Sequence, residues 1–233
     1  MKRMERVDFY GGDDPVALPL YSYAEAARIV GLPPTTVRYW LKGGVVTSLR
    51  PSGRFAPVLT ADVTSGVSFQ NLLELQILRV LRHDHRVPME SIRTAQRYAS
   101  HEMGIERPLL SEILVGGRDI FVREVGRLVS LNRSGQLAMA ELLARFLHRV
   151  DFDEVGTPTR FFPVVPSTDE RKSVQLSPRV RFGAPTLAGT GIATYVIASR
   201  VDEGEEVAAI AADYAVAARL VLDAVIFEAG RAG

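Results

Sequence analysis

Several residue types and patterns are absent from the sequence, and each absence excludes a class of protein. There is no Cys among the 233 residues, which rules out disulfide bonds, thiolate zinc sites and thiol nucleophiles. No apolar run approaches the ~20 residues that cross a bilayer, and the basic N-terminal segment is not followed by the apolar core of a signal peptide. We therefore expect a cytoplasmic protein that makes no membrane contact.

Residue sets that carry catalysis, metals or cofactors are also missing. The glycines at 183–191 lack the lysine of a phosphate-binding loop and the spacing of a dinucleotide fingerprint. The acidic residues at 202–206 have no nucleophile nearby, and His83 and His85 point to different sides of a helix with no third ligand. The sequence predicts no enzymatic activity, no metal site and no cofactor.

The most informative feature that is present is the pattern of residues 22–42, SYAEAARIVGLPPTTVRYWLK, which predicts a helix-turn-helix. Ala27 is small enough for two helices to approach closely, Gly31 permits a left-handed turn, and Val37 can pack the second helix against the first. Ser22, followed three residues later by a glutamate, has the spacing of a capping box. Two helices of this kind indicate DNA binding.

The second helix of the motif carries side chains suited to a DNA duplex. We predict DNA contacts for Thr35, Thr36, Arg38, Tyr39 and Lys42. The threonines stand at the N-terminal end of the helix, nearest the base edges, and the other three supply cationic and hydrogen-bonding groups. The alternative is an ordinary half-buried helix face. In both interpretations Trp40 belongs to the core.

A short basic hairpin is predicted directly after this helix. Two glycines at 43–44 end the helix, and residues 45–60 alternate between apolar and polar types around a Pro-Ser-Gly turn. Arg50 and Arg54 flank that turn, at the tip of what would be a wing. We predict that both bind phosphates, in a winged helix-turn-helix that binds duplex DNA as a dimer.

The rest of the chain divides into segments that differ in composition and in hydrophobic periodicity. Two amphipathic helices, at 68–84 and 88–103, follow the wing. Strand-like stretches with one helix come next, then a polar stretch and alanine-rich helices. We predict a mainly α (α+β) fold with an N-terminal arm (1–20), a winged helix-turn-helix region (21–104), a small α+β middle or dimerisation region (105–165), a linker (166–178) and a small C-terminal helical domain (179–233).

Charge is unevenly distributed, although the net charge of the whole chain is only +1. Residues 21–60 hold five basic residues against one acidic residue, whereas residues 151–233 hold twelve acidic against eight basic residues. A basic head and an acidic tail indicate two partners of different character, unless the difference is ordinary fluctuation.

Two stretches resemble known families. Residues 21–103, with Arg-Tyr-Trp at 38–40, the wing and the two helices after it, resemble the MerR-like winged helix-turn-helix regulators. They depart from that pattern at 41–42, Leu-Lys, where many of those proteins have an acidic residue. The sequence FGAPTLAGTGIAT at 182–194, with the helices after it, resembles a small C-terminal domain of unknown function found in many bacterial antitoxins.

The combination resembles a VapB-type antitoxin, the partner of a PIN-domain ribonuclease toxin. The resemblance implies a protein that binds and neutralises the toxin and, as a homodimer, binds operator DNA to repress its own operon. A PIN-type ribonuclease holds its metal with acidic residues, so a basic side chain of this chain could enter that site. The candidate toxin-binding residues are Arg171, Lys172 and Arg231.

Two other functions fit the same features. A stand-alone MerR-like transcriptional regulator with a C-terminal effector-binding region would need an apolar pocket with a few polar groups in residues 104–233. An interaction adaptor whose head has lost its DNA affinity would show no salt-dependent binding to duplex DNA. The pocket and the salt dependence therefore separate the three hypotheses.

Overall fold

The structure, a computed structural model, describes residues 10–46, 53–83, 86–104, 107–110, 144–165 and 171–230. Within them lie the helices α1 (Tyr23–Val30), α2 (Pro34–Lys42), α3 (Phe69–His83), α4 (Met89–Met103), α5 (Thr194–Asp202), α6 (Val207–Asp213) and α7 (Ala218–Ala229). Antiparallel pairs are formed by the strands β1 (Gly44–Val46) and β2 (Gly53–Phe55), β3 (Val150–Phe152) and β4 (Pro158–Phe161), and β5 (Val174–Gln175) and β6 (Thr186–Leu187). These elements confirm the predicted mainly helical α+β fold with an N-terminal helix-turn-helix.

The helix-turn-helix follows from local signals in the sequence. The Ser22 hydroxyl accepts a hydrogen bond from the Glu25 backbone N–H at 3.1 Å, and the Glu25 carboxylate accepts one from the Ser22 N–H at 2.8 Å. Gly31 ends α1 with a left-handed φ of 73°, which glycine adopts without strain. Pro34 stands in the first turn of α2, where no amide donor is needed. The predicted capping box and turn are confirmed.

A two-stranded wing follows α2, as predicted. Strands β1 and β2 are antiparallel, with Gly44 opposite Phe55 and Val46 opposite Gly53. Residues 47–52, which contain the predicted turn, lie outside the described residues. The two strands therefore confirm the hairpin, whereas the contacts of its tip stay a prediction.

Helix α3 is the centre of the head. It packs against α1 and contributes to a core that includes Ile92 and Ala95 of α4, Phe161 of β4 and Leu176. The buried apolar residues of α3 are Phe69, Leu72, Leu73, Leu75, Ile77, Leu78 and Leu81. Burial from several sides accounts for an apolar stripe wider than a surface helix needs.

The middle region contains the sheet of β3 and β4, in which Val150 stands opposite Phe161. Phe161 also forms a β-bridge with Leu176, so this sheet is hydrogen-bonded to the segment that leads into the tail. Residues 144–147 are helical. Residues 111–143 lie outside the described residues, and the other elements expected there stay predictions.

The prediction of a linker at 166–178 is wrong for residues 173–178. These residues are buried and include strand β5. Val174 and Leu176 enter apolar clusters, and the Ser177 hydroxyl donates to a backbone carbonyl of β4 at 2.9 Å. The stretch appears polar in the sequence because Val174 and Leu176 alternate with Ser173, Gln175 and Ser177. The side chains of Gln175 and Ser177 are hydrogen-bonded to distant residues, to the Gly189 N–H and the Thr159 carbonyl.

The end of the predicted N-terminal arm is also part of the core. Val16 is buried in the same cluster as α3, and its carbonyl accepts a hydrogen bond from the Gln70 N–H at 3.3 Å. Tyr21 forms an antiparallel β-bridge with Val67. The arm is thus packed against the head from residue 15 onwards, whereas residues 11–14 are exposed and residues 1–9 lie outside the described residues.

The tail is a small helical unit that encloses its own apolar cluster. Helices α5, α6 and α7 pack around Leu187, Ile197, Ile210, Val221 and Ala224. A glycine at 204 lies between α5 and α6. No helix in the described parts of the chain is long and apolar enough to cross a membrane.

Candidate nucleic-acid interface

Helix α2 has one buried face and one accessible face. The buried side chains are Val37, Trp40 and Leu41. Of the predicted DNA-contacting residues, Thr35, Arg38 and Lys42 are exposed, and Thr36 and Tyr39 are partly exposed. Positions three, four and seven apart share one side of a helix, so the exposed three lie along one side. The structure confirms that Trp40 is a core residue, and it brings the five candidate side chains of α2 together at the surface.

The wing is fixed to the end of α2 by specific contacts. The ring of Tyr39 meets the ring of Phe55 edge to face, with 6.0 Å between their centroids. The carbonyl of Trp40 accepts hydrogen bonds from the N–H groups of Val58 at 2.7 Å and Leu59 at 3.0 Å. Helix α2 and the wing therefore form one unit, as a surface that binds a duplex would need.

Gly43 is required where α2 gives way to the wing. Its φ is 66°, and a Cβ atom added there would lie 2.4 Å from the Phe55 carbonyl oxygen and 2.9 Å from the Pro57 nitrogen. Both neighbours are backbone atoms, which cannot move aside as a flexible side chain can. The glycine therefore allows the strand leaving the wing to pass directly against the end of α2.

Lys42 combines exposure with a fixed position. Its ammonium group lies 5.5 Å from the centroid of the Tyr23 ring, within range of a cation–π contact. Tyr23 is the first residue of α1, so the last cation of α2 is held beside the start of the first helix.

Arg93 of α4 also holds the wing, and sequence reasoning missed it. Its guanidinium donates to the carbonyl of Pro57 at 2.9 Å and to the carbonyl of Ala56 at 2.6 Å. Backbone carbonyls have no signature in a sequence, so an arginine that binds them looks like any arginine on the polar face of an amphipathic helix. The contact connects α4 to the strand that leaves the wing.

A buried polar network lies beneath the same strand. Arg107 donates to the Glu74 carboxylate at 2.6 Å and also to the Asp62 carboxylate. Asn71 donates to the same Glu74 oxygen at 2.9 Å, and its side-chain oxygen accepts from the Asp62 N–H at 3.0 Å. Burial raises the pKa of Glu74 to about 7, and the Arg107 guanidinium opposes that rise. The sequence signal for this network was Asn71 and Glu74, two polar residues that interrupt the apolar face of α3.

A cavity of about 490 Å³ lies between the strand leaving the wing, α3 and α4. Its walls include Phe55, Glu74 and Gln96, so they are of mixed polarity. The alternative hypothesis of a stand-alone regulator placed an effector pocket in residues 104–233. Pro108 is the one lining residue of this cavity that belongs to that range.

The structure describes only some of the other predicted site residues. Arg50 and Arg231 lie outside the described residues, and for Arg54 the structure describes its backbone in β2. Arg171 and Lys172 are exposed neighbours in sequence. Arg171 lies 3.9 Å from the buried Asp223 carboxylate, and Lys172 lies 3.8 Å from the Asp151 carboxylate. Their assignment to a toxin interface stays a prediction.

The glycine-rich stretches weighed as phosphate cradles are turns. Gly183 and Gly189 have φ values of 82° and 76°, and each sits in a tight bend beside β6. In the parts of the chain that the structure describes, no three His, Asp or Glu side chains are arranged to hold a metal ion.

Two stretches of the chain match known protein families. Residues 19–96 match a family described as "Putative DNA-binding HTH domain", and residues 174–227 match one described as "Protein of unknown function (DUF433)". Two proteins of Mycobacterium tuberculosis (strain ATCC 25618 / H37Rv) are similar over most of the chain. One is "Uncharacterized protein Rv2308", 27% identical over 221 residues that cover 88% of each protein. The other is "Putative antitoxin VapB45", 25% identical over 230 residues that cover 89% of this chain and 92% of that one.

A solved structure shares the fold. The X-ray crystal structure of Rv2018 from Mycobacterium tuberculosis superposes with a TM-score of 0.65 at 20% sequence identity, covering 89% of this chain and 98% of that one. The head is therefore similar to a family described as "Putative DNA-binding HTH domain", and the chain as a whole is similar to a protein named "Putative antitoxin VapB45".

Proposed function

We propose that this protein is a DNA-binding antitoxin. Its head binds operator DNA as a homodimer and represses its own operon, and the rest of the chain binds and neutralises a PIN-domain ribonuclease toxin. In this proposal the protein catalyses no reaction. The observation that carries it is the accessible face of α2, fixed to a wing, in a head similar to a family described as DNA-binding. The relative named as an antitoxin supports the second activity.

The proposed mode of DNA binding places α2 in the major groove. Thr35 and Thr36, at the N-terminal end of the helix, face base edges, and Arg38 and Lys42 bind phosphates further along. The wing follows the backbone because its strands are tied to α2, and its two arginines add phosphate contacts. One such head covers a small area, so two heads on two half-sites supply the affinity.

The proposed mode of neutralisation is occlusion of the acidic site of the toxin. Arg171 and Lys172 are exposed cations near the junction of the middle region and the tail, and Arg231 follows α7 at the end of the chain. A basic side chain entering a cluster of carboxylates competes with the metal for the same negative charge. The acidic composition of residues 151–233 suits a partner with basic surfaces around that site.

Binding to a fluorescent duplex from the region upstream of its own gene tests the first activity. The wild-type protein is expected to bind, and Arg38→Ala is expected to weaken binding about 10-fold near 0.1 M salt, since each phosphate contact contributes about 0.9 to the slope of log K against log salt. The matched control is Arg219→Ala, an exposed arginine on α7. Equal affinities for the two variants would contradict the assignment of α2 as the DNA-binding helix.

Coexpression with the protein encoded by the adjacent reading frame tests the second activity. The two proteins are expected to copurify, and this chain is expected to suppress the ribonuclease activity of its partner. The double substitution of Arg171 and Lys172 by Glu should weaken suppression and leave operator binding intact, with Arg219→Glu as the control. A ribonuclease that keeps its full activity in the presence of an equimolar amount of this protein would refute the antitoxin role.

A further inference from the structure

A strained segment of backbone opens the tail domain at 181–183. Arg181, Phe182 and Gly183 have φ values of 46°, 53° and 82°, so three successive residues are left-handed. Residues other than glycine, asparagine and aspartate rarely adopt this conformation, and an arginine followed by a phenylalanine there costs stability. Such strain persists only where surrounding contacts impose it, and it is concentrated at functional positions.

The head supplies the contacts that hold this segment. The Tyr21 hydroxyl donates a buried hydrogen bond to the Gly183 carbonyl at 2.9 Å, and a Cβ atom on Gly183 would lie 2.5 Å from that hydroxyl. The Tyr10 hydroxyl donates to the Pro178 carbonyl, and its ring meets the Phe182 ring edge to face at 5.6 Å. The strained conformation is therefore imposed from both sides.

The result of the strain is an aromatic side chain held at the surface. Phe182 is 58% exposed although its ring edge has a partner in Tyr10. A buried phenylalanine would contribute more to stability than one that remains this accessible to water. Folding alone therefore gives no reason to keep a large apolar residue on left-handed backbone at this point.

Two arginines stand close to Phe182 in the sequence. Arg179 and Arg181 are both exposed, and among the described residues neither has a carboxylate within 4.0 Å. Arg179 lies beside Tyr10: burial raises the pKa of Tyr10, and the Arg179 charge opposes that rise. Arg181 is fixed by a hydrogen bond from its Nε to the Gly191 carbonyl at 2.6 Å. The tail as a whole is acidic, whereas Arg179 and Arg181 place two positive charges within three residues of Phe182.

We infer that Arg179, Arg181 and Phe182 form a docking surface for the toxin, with Phe182 inserted into an apolar pocket bordered by carboxylates. The inference rests on the proposed function and adds a surface separate from Arg171, Lys172 and Arg231. Aromatic and arginine side chains are the residues most often dominant in protein interfaces. Duplex DNA would satisfy the arginines but offers no apolar pocket along its phosphates for the phenylalanine.

The dissociation constant of the complex of the full-length chain with the protein encoded by the adjacent reading frame tests this inference. Phe182→Gly is expected to weaken that complex by about 30-fold or more, the loss typical of a dominant interface residue. Its melting temperature should equal or exceed that of the wild type, because glycine relieves the left-handed strain. Arg179→Glu should weaken the complex about 10-fold. The controls, Tyr98→Ala and Arg219→Glu, replace an exposed aromatic and an exposed cation elsewhere, and should stay within about 2-fold.

Each contrary outcome has a distinct meaning. If the wild type binds its partner and both Phe182→Gly and Arg179→Glu bind equally well, the docking surface is wrong and the antitoxin role stands. If the wild type does not bind, the proposed function and this inference both fall. If the two variants lose operator affinity rather than partner affinity, the surface contacts DNA and the inference is overturned. Should Phe182→Gly unfold, Arg179→Glu, which leaves the strained backbone unchanged, decides alone.

Discussion

Glu74→Gln is expected to change how the stability of the head depends on pH. Glu74 is buried, with 5% of its side chain exposed, and its pKa is raised from 4.5 to about 7. Between those values the folded protein binds more protons at Glu74 than the unfolded chain does, so the stability contribution falls as pH rises. At 1.36 kcal/mol for each pKa unit, the full fall amounts to about 3 kcal/mol.

Urea denaturation followed by tryptophan fluorescence measures this effect. Trp40 is the single tryptophan of the chain and is buried in the head core, so its emission reports unfolding of the region that contains Glu74. The stability of the wild type relative to Glu74→Gln should decrease by up to about 3 kcal/mol as pH is raised from 4.5 to 7.5, because the amide does not titrate. Glu90→Gln is the control, since the Glu90 side chain is 79% exposed.

Whether the stability of the wild type relative to Glu74→Gln falls or rises with pH decides whether burial or ion pairing dominates at Glu74. Burial disfavours the charged carboxylate, whereas the Arg107 guanidinium favours it. If the relative stability of the wild type increases with pH over the same range, the ion pair controls the titration and Glu74 has a lowered pKa. If the relative stability does not change, Glu74 does not titrate in this range. Either result would refute the reasoning.

Three further substitutions test the contacts that position the wing, the tail and the first helix. Gly43→Ala should destabilise the head by about 2 kcal/mol or more, because φ 66° with ψ −164° is a conformation essentially limited to glycine and because the Cβ atom clashes with the Phe55 carbonyl. A loss below about 1 kcal/mol in urea denaturation would show that the wing can yield. Tyr21→Phe should cost about 1–3 kcal/mol by leaving the buried Gly183 carbonyl without its donor, and an unchanged melting temperature would argue against that bond. Ser22→Ala should cost about 1 kcal/mol by removing the helix cap, and a neutral effect would show that the cap adds nothing.

Local features of the fold could be predicted from the sequence because their causes lie within a few residues. Ser22 caps a helix through an interaction three residues away, and Gly31 and Gly43 end helices through their own backbone conformation. The wing was predictable from the alternation on both sides of its turn. The accessible face of α2 followed from helical spacing, which also placed Trp40 in the core.

Features that depend on distant residues could not be predicted in the same way. The hydrogen bond between Tyr21 and Gly183 joins residues 162 positions apart. Arg93 binds backbone carbonyls of the wing strand, which one sequence does not identify. The segment 173–178 was misassigned because strand β5 is two residues long and is stabilised by partners elsewhere in the chain.

The backbone conformation of residues 181–183 could not be predicted from the sequence either. The sequence at 181–183 reads as an ordinary turn, because the glycine accounts for a bend without reference to its neighbours. The structure adds that Arg181 and Phe182 are left-handed as well. Their conformation is imposed by tertiary contacts, and no local pattern encodes it.

The salt dependence of duplex binding tests the central claim most directly. If Arg38 and Lys42 each neutralise a phosphate, the double substitution of both by Ala should reduce the slope of log K against log salt by about 1.8 for each head, since each phosphate contact contributes about 0.9. The wild type should bind the region upstream of its own gene with a steep slope. An unchanged slope in the double variant, or no binding by the wild type at low salt, would contradict the account.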